Sequence, residues 1–169
     1  MRISRKLGLY GLMRKTLFKN GTDNTELTGG WVTQAIKPNP DSGNATKPTV
    51  TWNTDSVTVM QSPSYRTGVL RTVNAIDLTP YSKLRVQRTV TKGDDGYVYF
   101  QTWEKDAAAK ANTIQDCLVT SNSGVVTDSN LRYATSDISN VTGEHYICIY
   151  VASGTANAST TVYNIYLER

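Results

Sequence analysis

One histidine, two cysteines and the lack of any long apolar run narrow the reading of this 169-residue chain before its contents are considered. A Ser-His-Asp arrangement needs a histidine held by a carboxylate beside a nucleophile. His145 stands alone at the start of a predicted strand, and no Gly-x-Ser-x-Gly elbow accompanies it. It reads as a structural or surface histidine. Cys117 and Cys148 are too few for a disulfide framework, and with one histidine they offer no zinc spacing. Nothing signals an oxidising compartment, so they read as two half-buried thiols. No stretch approaches the ~18–20 apolar residues of a membrane-spanning helix. The run Leu7 to Met13 holds two glycines and meets Arg14 and Lys15 at once, with no small-residue cleavage site after it. The expectation is a chain made and kept inside a cell until something releases it.

Marked carboxylate pairs are missing too. Most of the 14 acids sit in turns, among them Asp23, Asp41, Asp55, Asp94, Asp95 and Asp128, and turn chemistry accounts for them. Glu104 and Glu144 lie near strand ends, where they could face one groove. Gly93-Asp94-Asp95-Gly96 lacks the spaced acids of a calcium loop, and no glycine-rich phosphate loop occurs. The chain is expected to be no enzyme and to hold no metal and no cofactor.

What is present is Thr, Ser and Asn, with ten Tyr and three Trp for bulk against two Phe. Thr, Tyr and Val suit a pleated, half-solvated surface. From residue 16 onward short strands alternate with turns. Thr16–Lys19 ends at Asn20-Gly21, and the turn Thr28-Gly29-Gly30 leads into Trp31–Lys37. Prolines and glycine forbid regular structure from Lys37 to Pro48. Thr49–Trp52 and Ser56–Gln61 flank Asn53-Thr54-Asp55 as a hairpin, and Gly68–Val73 follows. Ser82–Val90 alternates, with Leu84, Val86 and Val90 on one side and Lys83, Arg85, Gln87 and Thr89 on the other. Tyr97–Glu104 is expected to close a hairpin with it. A helical patch at Ala107–Ala111 and weaker strands at Ile114–Thr120 and Asn130–Thr135 come next. His145–Ala152 and Thr160–Leu167 are the strongest strands, apolar at both parities, so each is covered on two faces or meets a partner with one. The fold class is all-β: one antiparallel β-sandwich, a jelly roll, over residues 16–169, with an extended basic N-terminal arm over residues 1–15.

Charge is unevenly spread. The first twenty residues carry six positive side chains and no negative one, while the chain as a whole has 18 Lys+Arg against 14 Asp+Glu. The net +4 therefore belongs to the arm. Arg2, Arg5, Lys6, Arg14 and Lys15 interleave with Leu7, Leu9, Tyr10 and Leu12. Aliphatics suit the grooves of a protein surface, whereas a nucleic-acid tail can do without them. The arm reads as a protein anchor, with nucleic acid disfavoured and no membrane partner.

Two stretches carry a resemblance. One is Leu17-Phe18-Lys19-Asn20-Gly21-Thr22-Asp23 with Leu27-Thr28-Gly29-Gly30-Trp31. The other is Ala75-Ile76-Asp77-Leu78-Thr79-Pro80-Tyr81-Ser82-Lys83-Leu84, with the final strand Val162-Tyr163-Asn164-Ile165-Tyr166-Leu167. Together they resemble a loose group of β-sandwich proteins encoded among the virion genes of tailed bacteriophages. The Asp77–Leu84 segment is also similar to galactose-binding-like and carbohydrate-binding sandwiches. The resemblance implies a jelly-roll virion component, assembled in the host cytoplasm: a capsid decoration protein whose arm binds major capsid or tail proteins, with homo-oligomerisation open. The alternative is a carbohydrate-binding module of a tail or head fibre that takes a surface glycan in host recognition. Trp31, Trp52 and Trp103 are its candidate glycan-facing aromatics, against the plainer reading of tryptophan as core material.

Overall fold

The computed structural model describes residues 14–35, 46–62, 66–92, 97–105, 126–153 and 157–169. Among them run twelve strands and one helical turn. In chain order these are β1 (Arg14–Lys19), β2 (Thr22–Asp23), α1 (Thr25–Thr28), β3 (Trp31–Ala35), β4 (Thr49–Trp52), β5 (Val57–Gln61) and β6 (Arg66–Thr72). Then come β7 (Ile76–Asp77), β8 (Lys83–Lys92), β9 (Tyr97–Glu104), β10 (Val126–Asp137), β11 (Glu144–Ser153) and β12 (Ala158–Glu168). They form two antiparallel sheets of seven and five strands. The fold is the all-β sandwich that the alternating sequence implies.

In the seven-stranded sheet β12 is central. One edge of it pairs with β8, which pairs in turn with β10. The other edge is shared by β5 near the start of β12 and β1 near its end. In the five-stranded sheet β11 is central. His145 pairs with both Glu104 and Ile76, so β9 lies on one edge of β11 while β7 and β6 lie on the other. The core fills the space between the sheets. Leu84, Val86 and Val90 of β8 meet Ile147, Ile149 and Val151 of β11 there. Each such side chain contributes roughly 1.5–3 kcal/mol by leaving water. Arg88, of the same parity, is buried with them.

Local chemistry sets the corners. Asn20 and Gly21 have φ of 46° and 78°, the mirror-image turn whose twist matches a hairpin, and it joins β1 to β2. A side chain at Gly21 would run into the Thr54 carbonyl. The turn Thr28-Gly29-Gly30 follows the helical turn α1, which Gly29 closes in the left-handed region.

Two connectors at one end of the sandwich share a design. In β7–β8, Asp77 accepts the Thr79 amide at 3.0 Å while Leu78 is fully buried. In β10–β11, Asp137 accepts the Ser139 amide at 2.8 Å while Ile138 is buried. Each aspartate caps its own turn in this way. The Thr79 and Ser139 hydrogen bonds hold both carboxyls below the usual aspartate range. The connectors also bond to each other: Leu78 N–H donates to Gly143 O at 2.9 Å and Ile138 N–H to Ser82 O at 2.8 Å. Ser82 N–H donates to Glu168 O at 2.8 Å, tying in the end of β12.

Three expectations change. The hairpin between Ser82–Val90 and Tyr97–Glu104 does not form: β8 has β10 and β12 on its two edges, so β9 crosses to the other sheet and pairs with β11. The arm boundary moves, because Arg14 and Lys15 are part of β1 and pair with Glu168 and Leu167. A helical turn, α1, precedes β3 where only a turn was expected. The arm residues Arg2, Arg5, Lys6, Leu7, Leu9, Tyr10 and Leu12, the helical patch at 107–111, the strand at 114–120 and Cys117 lie outside the described residues.

Candidate functional site: the outward face of the five-stranded sheet

Residues paired across a ladder share a face. The register of β11 therefore sorts the five-stranded sheet into rows. Tyr146 stands opposite Trp103. Cys148 stands between Gln101 and Arg71, and Arg71 is followed by Val32. Tyr150 stands between Tyr99 and Val69, and Val69 is followed by Gln34. All of these have the parity opposite to Ile147, Ile149 and Val151, so they face away from the main core. Val69, Trp103 and Cys148 make a small apolar cluster of their own, flanked by half-buried Tyr146 and Tyr150.

The polar groups on this face hold the aromatic ones in place. The Tyr99 and Tyr150 rings stack with centroids 5.6 Å apart and planes 30° apart. The Arg71 guanidinium lies 4.1 Å from the centre of the Tyr146 ring. Its Nε donates to Gln34 Oε1 at 3.1 Å and its Nη1 to the Thr72 carbonyl at 2.8 Å. Trp103 Nε1 donates to Gln101 Oε1 at 2.9 Å. The result is three half-buried tyrosines and a fixed guanidinium held by the Gln34 amide, over a buried floor of Val69, Gln101, Trp103 and Cys148. Aromatic faces take up apolar C–H surfaces, and planar amides and guanidinium groups engage hydroxyls and carboxylates.

The three tryptophans named from the sequence lie apart. Trp31 packs against the main core from β3, its indole N–H donating to Asp23 at 2.9 Å. Trp52 is 50% exposed on β4 of the other sheet, tilted against Phe18. Trp103 does belong to this face, but as a 2% exposed support beneath it. The tyrosines were missed although their signal was present: Tyr99, Gln101 and Trp103 alternate with Val98, Phe100 and Thr102, and Tyr146, Cys148 and Tyr150 alternate with Ile147 and Ile149.

Glu104 and Glu144 do line one shallow hollow of about 290 Å³, with Lys105, Thr142 and His145. There Lys105 Nζ holds the Glu144 carboxylate at 2.7 Å. His145 is buried, with Nδ1 at 3.2 Å from the Gly143 carbonyl. Among the described residues no three acidic, histidine or cysteine side chains gather as a metal site would require.

No protein-family model and no curated protein matches the sequence. Solved structures do. A family 29 carbohydrate-binding module, CBM29_1 from Piromyces equi, superposes with a TM-score of 0.51 at 14% identity, covering 92% of this chain and 90% of that one. The xylan-binding module CBM15 superposes with a TM-score of 0.50 at 14% identity, covering 82% of this chain and 97% of that one. At such identity the likeness speaks for the fold, and the fold is a β-sandwich like those of carbohydrate-binding modules.

Proposed function

We propose that this protein is a carbohydrate-binding module whose ligand lies on the outward face of the five-stranded sheet. The observation that carries the reading is the stacked Tyr99–Tyr150 pair beside Tyr146, with Arg71 lying on the Tyr146 ring and held there by Gln34. A sugar ring offers an apolar C–H face for stacking and equatorial hydroxyls for planar donors and acceptors, and this face supplies both partners. The resemblance of the fold to two carbohydrate-binding modules agrees with it.

The virion-anchor reading gains no such observation. Of its anchoring residues Arg14 and Lys15 lie among those described, and Arg14 is already engaged by Glu168 and Tyr166.

Binding of the intact protein to a panel of immobilised neutral and acidic polysaccharides, followed by affinity electrophoresis, tests the reading. Tyr150→Ala or Tyr99→Ala lowers affinity at least tenfold, or about 1.4 kcal/mol, with the thermal midpoint recorded to confirm folding. Trp52→Ala, on the other sheet, leaves affinity unchanged. Lack of binding by the intact protein across the whole panel at high concentration refutes it.

A further inference from the structure

We infer that the glycan is anionic and that its acidic group is received by Arg71. This rests on the carbohydrate-binding reading of the same face and adds the chemical class of the ligand.

The inference begins from a missing partner. Arg71 is half-buried, in the middle of the sheet, and Val32 and Cys148 stand beside it across the ladder. Its hydrogen bonds go to a neutral amide, Gln34, and to a backbone carbonyl. Among the described residues it meets no carboxylate, and every interaction it makes is one already named. A partly desolvated guanidinium held against an aromatic ring is ordinarily balanced by an acid. The opposite sheet follows that rule: Arg14 and Arg85 both reach the Glu168 carboxylate, at 2.6 Å and 3.6 Å.

The geometry fits a guest. Nε and Nη1 are anchored, and Tyr146 fixes the plane of the group, so the Nη2 edge is pre-oriented. A carboxylate or sulfate beside that edge gains a charge-assisted hydrogen bond with little ordering cost. A neutral hydroxyl at the same place gains an ordinary one.

The test uses the full-length protein and three uronate polysaccharides, each beside its carboxyl-reduced form, together with dextran sulfate beside dextran. The expected result is at least tenfold tighter binding of the acidic member of a pair, weakening as salt is raised. Preference confined to the uronates identifies a carboxylate, and preference confined to dextran sulfate identifies a sulfate; either supports the inference. The basic first twenty residues could attract any polyanion, so Arg71→Gln is measured alongside. In that variant the acidic and neutral members of each pair bind equally, whatever the common affinity, and Arg71→Lys retains part of the preference. If Arg71→Gln fails to fold, Gln34→Glu, which supplies a resident acid, abolishes the preference instead. Equal affinity for acidic and neutral forms overturns the inference and leaves the glycan reading standing. So does a preference that survives both Arg71→Gln and Gln34→Glu. A protein that binds no glycan at all overturns both.

Discussion

The two outward faces of the sandwich are built from the same parts and put them to opposite ends. On the seven-stranded sheet Arg14 lies 4.3 Å above Tyr166 and Arg85 lies 4.4 Å above Tyr133. Glu168 sits between the two guanidinium groups, Asn164 bonds to Gln87, and the hydroxyls of Thr58 and Thr161 meet at 2.9 Å. Every charge named on that face has an answer within the face. On the five-stranded sheet Arg71 also lies on a tyrosine, yet a glutamine stands where the acid would be. A cation on an aromatic ring is thus a structural clasp when a carboxylate is at hand, and a receptor when it is not.

Moving an acid from one face to the other breaks the contrast most strongly. Gln34→Glu gives Arg71 the partner that Arg14 and Arg85 already have. It is expected to lower affinity for acidic glycans about tenfold, roughly 1.4 kcal/mol, measured by titration calorimetry against a carboxyl-reduced control. The reverse change, Glu168→Gln, opens the seven-stranded face. The pair is partly exposed, 40% at Arg14 and 20% at Glu168, so the expected cost is about 1 kcal/mol in urea unfolding. Glycan affinity on the other sheet stays unchanged.

The smallest effect is read by pH. Asp77 and Asp137 are held below the ordinary aspartate value, which is about 3.9 in an unfolded chain. Their contribution is fully present above that value and is lost as pH falls through the lower folded values. Tyr166 and Tyr81 are raised by burial above the usual tyrosine value of about 10. Their share is fully present below about pH 10 and is lost as pH rises through the higher folded values. Thermal midpoints should therefore hold level between roughly pH 5 and 9 and decline outside that range. Asp77→Asn and Asp137→Asn flatten the acidic side and leave the alkaline side as it was.

Much of the fold was legible because alternation in a strand is local. Leu84, Val86 and Val90 announce a buried face, and Asn53-Thr54-Asp55 joins β4 to β5 as a turn should. Pairing is not local. Nothing between Lys92 and Tyr97 reveals that β8 already has neighbours from residues 126–137 and 158–168. The site was half legible for the same reason. Alternation divides Tyr146 and Tyr150 from Ile147 and Ile149, but it does not tell which set meets the core. Tryptophan was the wrong guide to a shared platform: Trp31 finds Asp23 and the core, and Trp103 finds Gln101, because an indole N–H that leaves water must find an acceptor. The second connector, Asp137-Ile138-Ser139, repeats the pattern of Asp77-Leu78-Thr79 and was visible in the sequence as an acid, an apolar residue and a hydroxyl in succession.

Those paired connectors bind the sandwich along one margin, as a spine binds a book. Leu78 N–H extends the β7–β11 ladder past Asp77 and Glu144, while Ser82 and Ile138 extend the ladders of β8 with β12 and β10 past Lys83, so each cover is stitched where the chain crosses to the other. In hydrogen exchange those three amides are expected to be protected together with the ladders they extend. Tyr146 lies two residues from Glu144, which pairs with Asp77 at that spine, and Arg71 lies on the Tyr146 ring.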